Sequence, residues 1–193
     1  LSLHDALPIS RSNGINAITI REGDQLLAAK MTTGNSQIMM AVKSGKSIRF
    51  EEEKVRSMGR TAAGVRGIRL PSEEDEVIGM ICINDMEASV LVVSENGYGK
   101  RSAVEDYRIT NRGGKGVKTI NVTEKTGGLI ALKNVTDEDD LMVINKSGIT
   151  IRIGVDTLRV MGRATQGVKL IRLSEGDEIS SVAKIETIKV EEI

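Results

Sequence analysis

"SGKSIRFEEEKVRSMGRTAAGVRGIRL", residues 44–70, returns twice further along the chain. "NGYGKRSAVEDYRITNRGGKGVKTINV" at 96–122 and "SGITIRIGVDTLRVMGRATQGVKLIRL" at 147–173 align with it without a gap. Gly45, Gly97 and Gly148 open the copies; Arg49, Arg101 and Arg152 follow four residues later. Arg60, Arg112 and Arg163 come next, each four residues before a glycine, Gly64, Gly116 or Gly167. A period of 52 and then 51 residues is the signature of a repeat architecture.

A partial copy stands upstream, where "GINAITIREGDQLLAAKM" from Gly14 matches "GVKLIRLSEGDEISSVAK" from Gly167. The chain thus starts in mid-repeat, which reads as truncation at the N-terminus. The resulting division is a leader at 1–11, the C-terminal part of a truncated blade at 12–37, blades at 38–89 and 90–140, and a last blade with tail at 141–193. The leader "LSLHDALPI" shares none of the periodicity, carries the only histidine, His4, and resembles a translated sequencing adapter, so it is set apart from the fold.

Within a copy the turn signals predict four short strands, at 38–43, 46–50, 65–70 and 76–83 in the first. Ser-Gly at 44–45 and Asn-Gly at 96–97 mark hairpin turns, because glycine accepts positive φ without steric cost. Four-stranded units repeated at this spacing predict an all-β, propeller-like protein of about three and a half blades. Composition agrees: Phe50, Tyr98 and Tyr107 are the only aromatics, so the core must be built from Val, Ile, Leu and Met, and the β-branched members favour strands. Cys82 has no partner for a disulfide and sits in the apolar run "MICI", where it reads as a structural thiol. No apolar run is long enough to span a bilayer, which suggests a cytosolic protein with no membrane partner.

The net charge is zero, but it is unevenly placed. Residues 43–69 carry +5, 100–118 carry +4 and 152–172 carry +4, while acidic turns "EEDE" at 73–76, "DEDD" at 137–140 and "EGDE" at 175–178 offset them. Solubilising charge has no reason to recur in register. A regular row of cations suits a polyanion with regularly spaced phosphates, and the scarcity of aromatic stacking platforms favours duplex over single-stranded nucleic acid. Candidate phosphate contacts are Arg49, Arg60, Arg66, Arg101, Arg112, Lys115, Lys118, Arg152, Arg163 and Lys169.

Catalytic readings fail on spacing. "SGKS" at 44–47 imitates the end of a phosphate-binding loop, but the position that needs the first glycine is Met40. "GYG" at 97–99 is a broken dinucleotide fingerprint with no helix after it. Tyr107 aligns with Val55 and Leu158, so it reads as a filler of an apolar slot rather than a nucleophile. No catalytic residue and no metal-ligand set are expected.

"MGRTAAGVRGIRL", "YRITNRGGKGV" and "MGRATQGVKLIRL" closely resemble the C-terminal domain of the DNA gyrase A subunit, from about Ser12 to the end of the chain. The resemblance implies a six-bladed β-pinwheel whose blades exchange strands and whose basic perimeter wraps duplex DNA, giving the crossing the handedness that gyrase turns into negative supercoils with ATP. The family's box reads Gln-Arg-Arg-Gly-Gly-Lys-Gly. Here Thr110 and Asn111 replace its first two residues, while Arg112, Gly113, Gly114, Lys115 and Gly116 match, so the segment resembles a degenerate copy that presents Arg112 and Lys115 to phosphate. The same resemblance implies a bacterial, cytoplasmic, nucleoid-associated holoenzyme. Its ATP and Mg2+ would bind outside this fragment, which itself needs no cofactor, and its partners would be the gyrase B subunit together with the rest of the gyrase A subunit. Two readings stay open beside it: the equivalent domain in the A subunit of topoisomerase IV, and a propeller that docks an acidic protein.

Overall fold

The computed structural model describes residues 15–186, and its contacts divide the chain into two compact units. One comprises the chain up to Leu26 together with Arg56–Val65; the other comprises Leu27–Val55 and everything from Arg66.

The second unit holds eleven strands among the described residues: β1 (Gln37–Val42), β2 (Lys46–Glu51), β3 (Val77–Ile83), β4 (Ser89–Ser94), β5 (Tyr98–Ala103), β6 (Val117–Lys118), β7 (Leu129–Val135), β8 (Asp139–Asn145), β9 (Thr150–Gly154), β10 (Val168–Lys169) and β11 (Ile179–Glu186). They form three antiparallel sheets in the orders β3-β1-β2-β6, β10-β5-β4-β7 and β11-β8-β9. Each hairpin turns on a positive-φ glycine, Gly45, Gly97 or Gly148. A register shift recurs beside each hairpin, at Ala41/Val42, Val93/Ser94 and Ile179/Ser181.

Strands β6 and β10 belong by sequence to the repeat after the one whose sheet they complete. Val117 pairs with Ser47, and Val168 pairs with Gly99 in the equivalent register. Glycine is required just before each donated strand. A Cβ on Gly116 would collide with the Ser47 carbonyl oxygen, and one on Gly167 would lie 2.6 Å from that of Gly99. The close approach these glycines permit is therefore to the neighbouring sheet.

Alternation along the strands fills the space between sheets. Met39 and Ala41 face the second sheet, where they meet Val90 and Val92; Leu91 and Val93 face the third and meet Leu141 and Val143. All six residues of β4 are buried, as befits a strand covered on both faces. On the other side of the first sheet, Ile38, Val42, Ile48 and Phe50 enclose Ile68. Tyr107 is 1% exposed within the core, and its hydroxyl lies 2.7 Å from Thr119 Oγ1. Cys82 is half-buried on β3, and burial pushes its thiol pKa up.

Helix is confined to single 3-10 turns at Glu52–Lys54, Val104–Asp106 and Val155–Thr157 among the described residues. The third strand, predicted at 65–70, does not form. Its equivalents, β6 and β10, pair with a hairpin from the preceding repeat, and no such hairpin precedes it among the described residues. Residues 15–36 likewise form no strand. The leader lies outside the described residues, and among those described no helix is long and apolar enough to cross a membrane.

In the first unit, Thr19 donates its backbone N–H to Ala62 O at 3.1 Å and its hydroxyl to Thr61 O at 2.8 Å. Thr19 is the partial copy's counterpart of Arg69 and Asn121. Those residues donate to Gly114 O at 2.8 Å and Thr165 O at 3.1 Å. The partial copy thus meets the following loop as the first two full copies meet their successors.

Candidate nucleic-acid interface

The ten cations singled out by sequence separate into three groups. Arg49 and Arg101 are 4% and 7% exposed. Arg49 donates to Val104 O at 2.8 Å, to Tyr107 O at 2.9 Å and to Gln37 Oε1 at 2.7 Å. Arg101 donates to Leu158 O, the equivalent carbonyl one repeat later, and pairs with Asp137. The backbone repeats the tie, because Arg49 O accepts from Thr110 N at 2.9 Å and Arg101 O from Met161 N at 2.8 Å. These guanidiniums staple one sheet to the next. Their expected role as phosphate contacts is corrected on that ground: a phosphate cannot reach a side chain already enclosed by protein carbonyls. Burial accordingly lowers the Arg49 pKa from its ordinary value. Arg152, at the end of the series, is exposed and pairs with Asp140 of its own sheet, Nε lying 2.8 Å from Oδ2.

Arg112 and Arg163 are half-buried and form the second group. Arg112 donates to Lys54 O at 2.8 Å and to Arg66 O at 3.2 Å, while Arg163 donates to Lys118 O at 2.8 Å. Residues 66 and 118 are themselves equivalent, so each box arginine leans on the segment before it in one register. A guanidinium has five N–H donors. These bonds leave others for a partner.

The third group is exposed: Arg66, Lys115, Lys118 and Lys169. Lys118 Nζ lies 3.1 Å from Asn121 Oδ1, and Lys169 Nζ stands 5.8 Å from the centre of the Tyr98 ring. Lys115 borders a cleft lined also by Ser47, Arg108, Asn111 and Gly116. Arg60 is exposed within the first unit.

A further column escaped the sequence reading. Arg56, Arg108 and Arg159 are equivalent, all arginine and all exposed. The signal is present in the sequence, since the column is as invariant as those at 49 and 60. A second oversight is Lys100, which replaces Ile48 and Ile151 of the sister repeats. It is 1% exposed, donates to Gly162 O at 2.6 Å, and has its pKa lowered to about 8, chiefly by burial.

The acidic turns are used locally. Asp75 accepts from the Ser44 backbone N–H at 3.1 Å and hydroxyl at 2.5 Å, and Asp177 accepts from the Ser147 hydroxyl at 2.9 Å. Glu76 and Glu95 lie 3.5 and 3.1 Å from Lys43, and Glu178 lies 2.6 Å from Lys146. Asp75 and Asp177 thus brace hairpins, while Asp137 and Asp140 of the middle acidic turn pair with Arg101 and Arg152.

Strand-exchanging antiparallel sheets, tied by buried arginines and carrying exposed cations in register, define a propeller-type repeat protein. The chain belongs to the family described as DNA gyrase C-terminal domain, beta-propeller, whose model matches residues 3–33, 36–84, 88–136 and 139–186. It is 47% identical over 174 residues to the DNA gyrase A subunit of Staphylococcus epidermidis, covering 90% of this chain and 19% of that protein. The Staphylococcus aureus protein of the same name is equally similar, with 20% of its length covered. The chain thus spans about a fifth of the curated relatives it matches. Among solved structures, a DNA gyrase A C-terminal domain superposes with TM-score 0.80 at 24% identity, over 89% of this chain and 58% of that one. The C-terminal domain of a DNA topoisomerase IV gives 0.83 at 23%, over 88% and 53%. These two likenesses establish the shared fold.

Proposed function

We propose that the chain is a duplex-DNA-wrapping module of a gyrase A subunit, working beside the gyrase B subunit in a type IIA topoisomerase. In that holoenzyme, ATP and Mg2+ bind elsewhere and drive negative supercoiling. The carrying observation is that cations spared from blade-to-blade ties recur in register: Arg108 with Arg159, and Lys118 with Lys169, all exposed. Such columns meet phosphates without reading bases, so binding is sequence-tolerant and driven by counterion release. Arg112 and Arg163 keep N–H groups spare while bracing the loops that carry them. Curated relatives at 47% identity are gyrase proteins, which favours gyrase over topoisomerase IV.

The test is the salt dependence of binding to duplexes of unrelated sequence. Replacing Arg108, Arg159, Lys118 and Lys169 with Ala should weaken binding to all of them alike. The slope of log affinity against log salt should flatten by about 0.9 per lost contact, or about 3.6 in all. Replacing four exposed cations outside these columns, Arg21, Lys30, Lys54 and Lys125, removes equal formal charge. Equal flattening by both sets would mean that net charge alone attracts DNA. Tight binding of an acidic polypeptide in preference to duplex DNA would instead identify a protein-docking platform.

A further inference from the structure

The middle repeat carries buried polar side chains where its sisters carry none. Lys100, Ser102, Tyr107 and Thr119 align with Ile48, Phe50, Val55 and Gly67 of the first repeat and with Ile151, Ile153, Leu158 and Leu170 of the third. All four are buried. Tyr107 and Thr119 share a hydrogen bond, and Lys100 Nζ donates to Ser102 Oγ at 3.3 Å and to Gly162 O at 2.6 Å. An ammonium in place of an apolar side chain weakens a core, so packing does not account for Lys100.

Its carbonyl partner opens a β-turn of the following repeat. Thr165 also donates to Gly162 O, through its N–H at 3.2 Å and its hydroxyl at 3.0 Å, and Arg163 occupies the corner between them. The equivalent turn of the middle repeat meets a methyl group instead: Ile48 Cδ1 lies 3.5 Å from the Cβ position of Gly114. Of the two box arginines, only Arg163 therefore rides on a turn anchored by a titratable group. The charges bearing on the ammonium are Asp106, from the 3-10 turn after β5, and Arg163 itself. Burial pushes the nearby Tyr107 hydroxyl up in pKa.

We propose that Lys100 is a positioning residue for anion capture by Arg163: its ammonium anchors the Gly162–Thr165 turn, and a phosphate reaching Arg163 is held most tightly while that ammonium is charged. The inference rests on the duplex-binding reading and adds a proton to it. Burial chiefly lowers the Lys100 pKa to about 8, against Asp106 and with Arg163 adding to the fall. A phosphate at Arg163 brings negative charge that favours the ammonium, so the pKa rises and Lys100 takes up a proton from solvent. The sign is opposite to that for folding. Rising pH strengthens the fold through Lys100 but loosens the grip on phosphate.

The test is the affinity of the 193-residue chain for a labelled duplex at fixed salt, from about pH 7 to about pH 9.5. If binding raises the Lys100 pKa by about one unit, wild-type affinity should fall about five- to tenfold more over this range than that of Lys100→Ile or Lys100→Met. The variants should start about tenfold weaker, and the wild type should converge on them as the pH rises. Lys100→Ile carries the residue of both sister repeats and Lys100→Met keeps an unbranched chain; circular dichroism checks that each is folded. Arg163→Ala should abolish the excess fall, whereas Arg112→Ala should keep it. Calorimetry near pH 8.5 in two buffers of unlike ionisation enthalpy should show the wild type taking up about half a proton more than either variant. Parallel pH profiles for the wild type and both variants overturn the proposal while leaving duplex binding in place. Failure to bind duplex at any pH overturns both.

Discussion

Replacing Arg49 with Ala distinguishes a staple from a DNA contact. The side chain is 4% exposed and donates to the Val104 and Tyr107 carbonyls and to Gln37. Its loss removes charge-assisted bonds and leaves two buried carbonyls in want of donors. Orphaned groups cost about 1–3 kcal/mol each, so the expected destabilisation is about 3–5 kcal/mol once water entry relieves part of it. At a urea dependence of about 2 kcal/mol per molar, the midpoint should fall by roughly 2 M. Arg152→Ala, at the same repeat position but with a side chain 58% exposed, should cost no more than about 1 kcal/mol. Urea titrations followed by circular dichroism read both values. Binding measured in parallel, under conditions where Arg49→Ala remains folded, should keep the wild-type salt slope. A destabilisation below about 1 kcal/mol together with a slope flatter by about 0.9 would refute the argument and return Arg49 to the DNA.

Lys100 should make stability rise with pH. Its folded pKa of about 8 lies below the ordinary 10.5, so between those values the unfolded chain holds the extra proton and rising pH favours the fold. Nearby Asp106 partly opposes the lowering and Arg163 adds to it. Lys100→Ile, the residue of both sister repeats, should remove this rise, and an unchanged difference between the two proteins from pH 8 to 10.5 would count against a buried ammonium. Gly116→Ala should cost well beyond the roughly 1–2 kcal/mol of left-handed strain, because its methyl collides with the Ser47 carbonyl. Gly64→Ala, with nothing within 4 Å, should show the strain alone, and equal thermal shifts would contradict that contrast.

The repeat made most of the fold legible. Hairpin glycines, β-branched runs and gap-free copies place β1, β2, β4, β5, β8 and β9 almost where they lie. What a repeat cannot convey is direction. Arg49, Arg101 and Arg152 form a column because they occupy equivalent places, but equivalence does not say whether the place faces water or the next sheet. The strand predicted at 65–70 failed for a related reason. Its propensity is unchanged, but a two-residue edge strand exists only where another backbone supplies its hydrogen bonds. Lys100 was concealed in the opposite manner: a charge in an apolar column looked like one more member of a basic window.

Position along the repeat therefore sorts the cations by task. An arginine on the second strand of a sheet lies next to the incoming repeat, so its long planar fork spans the junction and binds carbonyls there. The box arginine, eleven residues later, stands at the margin of that junction; Arg163 uses one N–H on Lys118 O and keeps a half-buried head. On the donated strand the backbone makes the junction, which frees Lys118 and Lys169 to point their ammonium groups outward. The three positions share one short stretch of chain, so spacing of the outward cations is inherited from the register that the buried arginines enforce. A junction that slips by one residue would turn Val117 out and Lys118 in, because side chains alternate along a strand. The glycine at 116 and the staple at 49 prevent that slip from opposite ends of the same contact, and the outward cations hold their spacing only while both are in place.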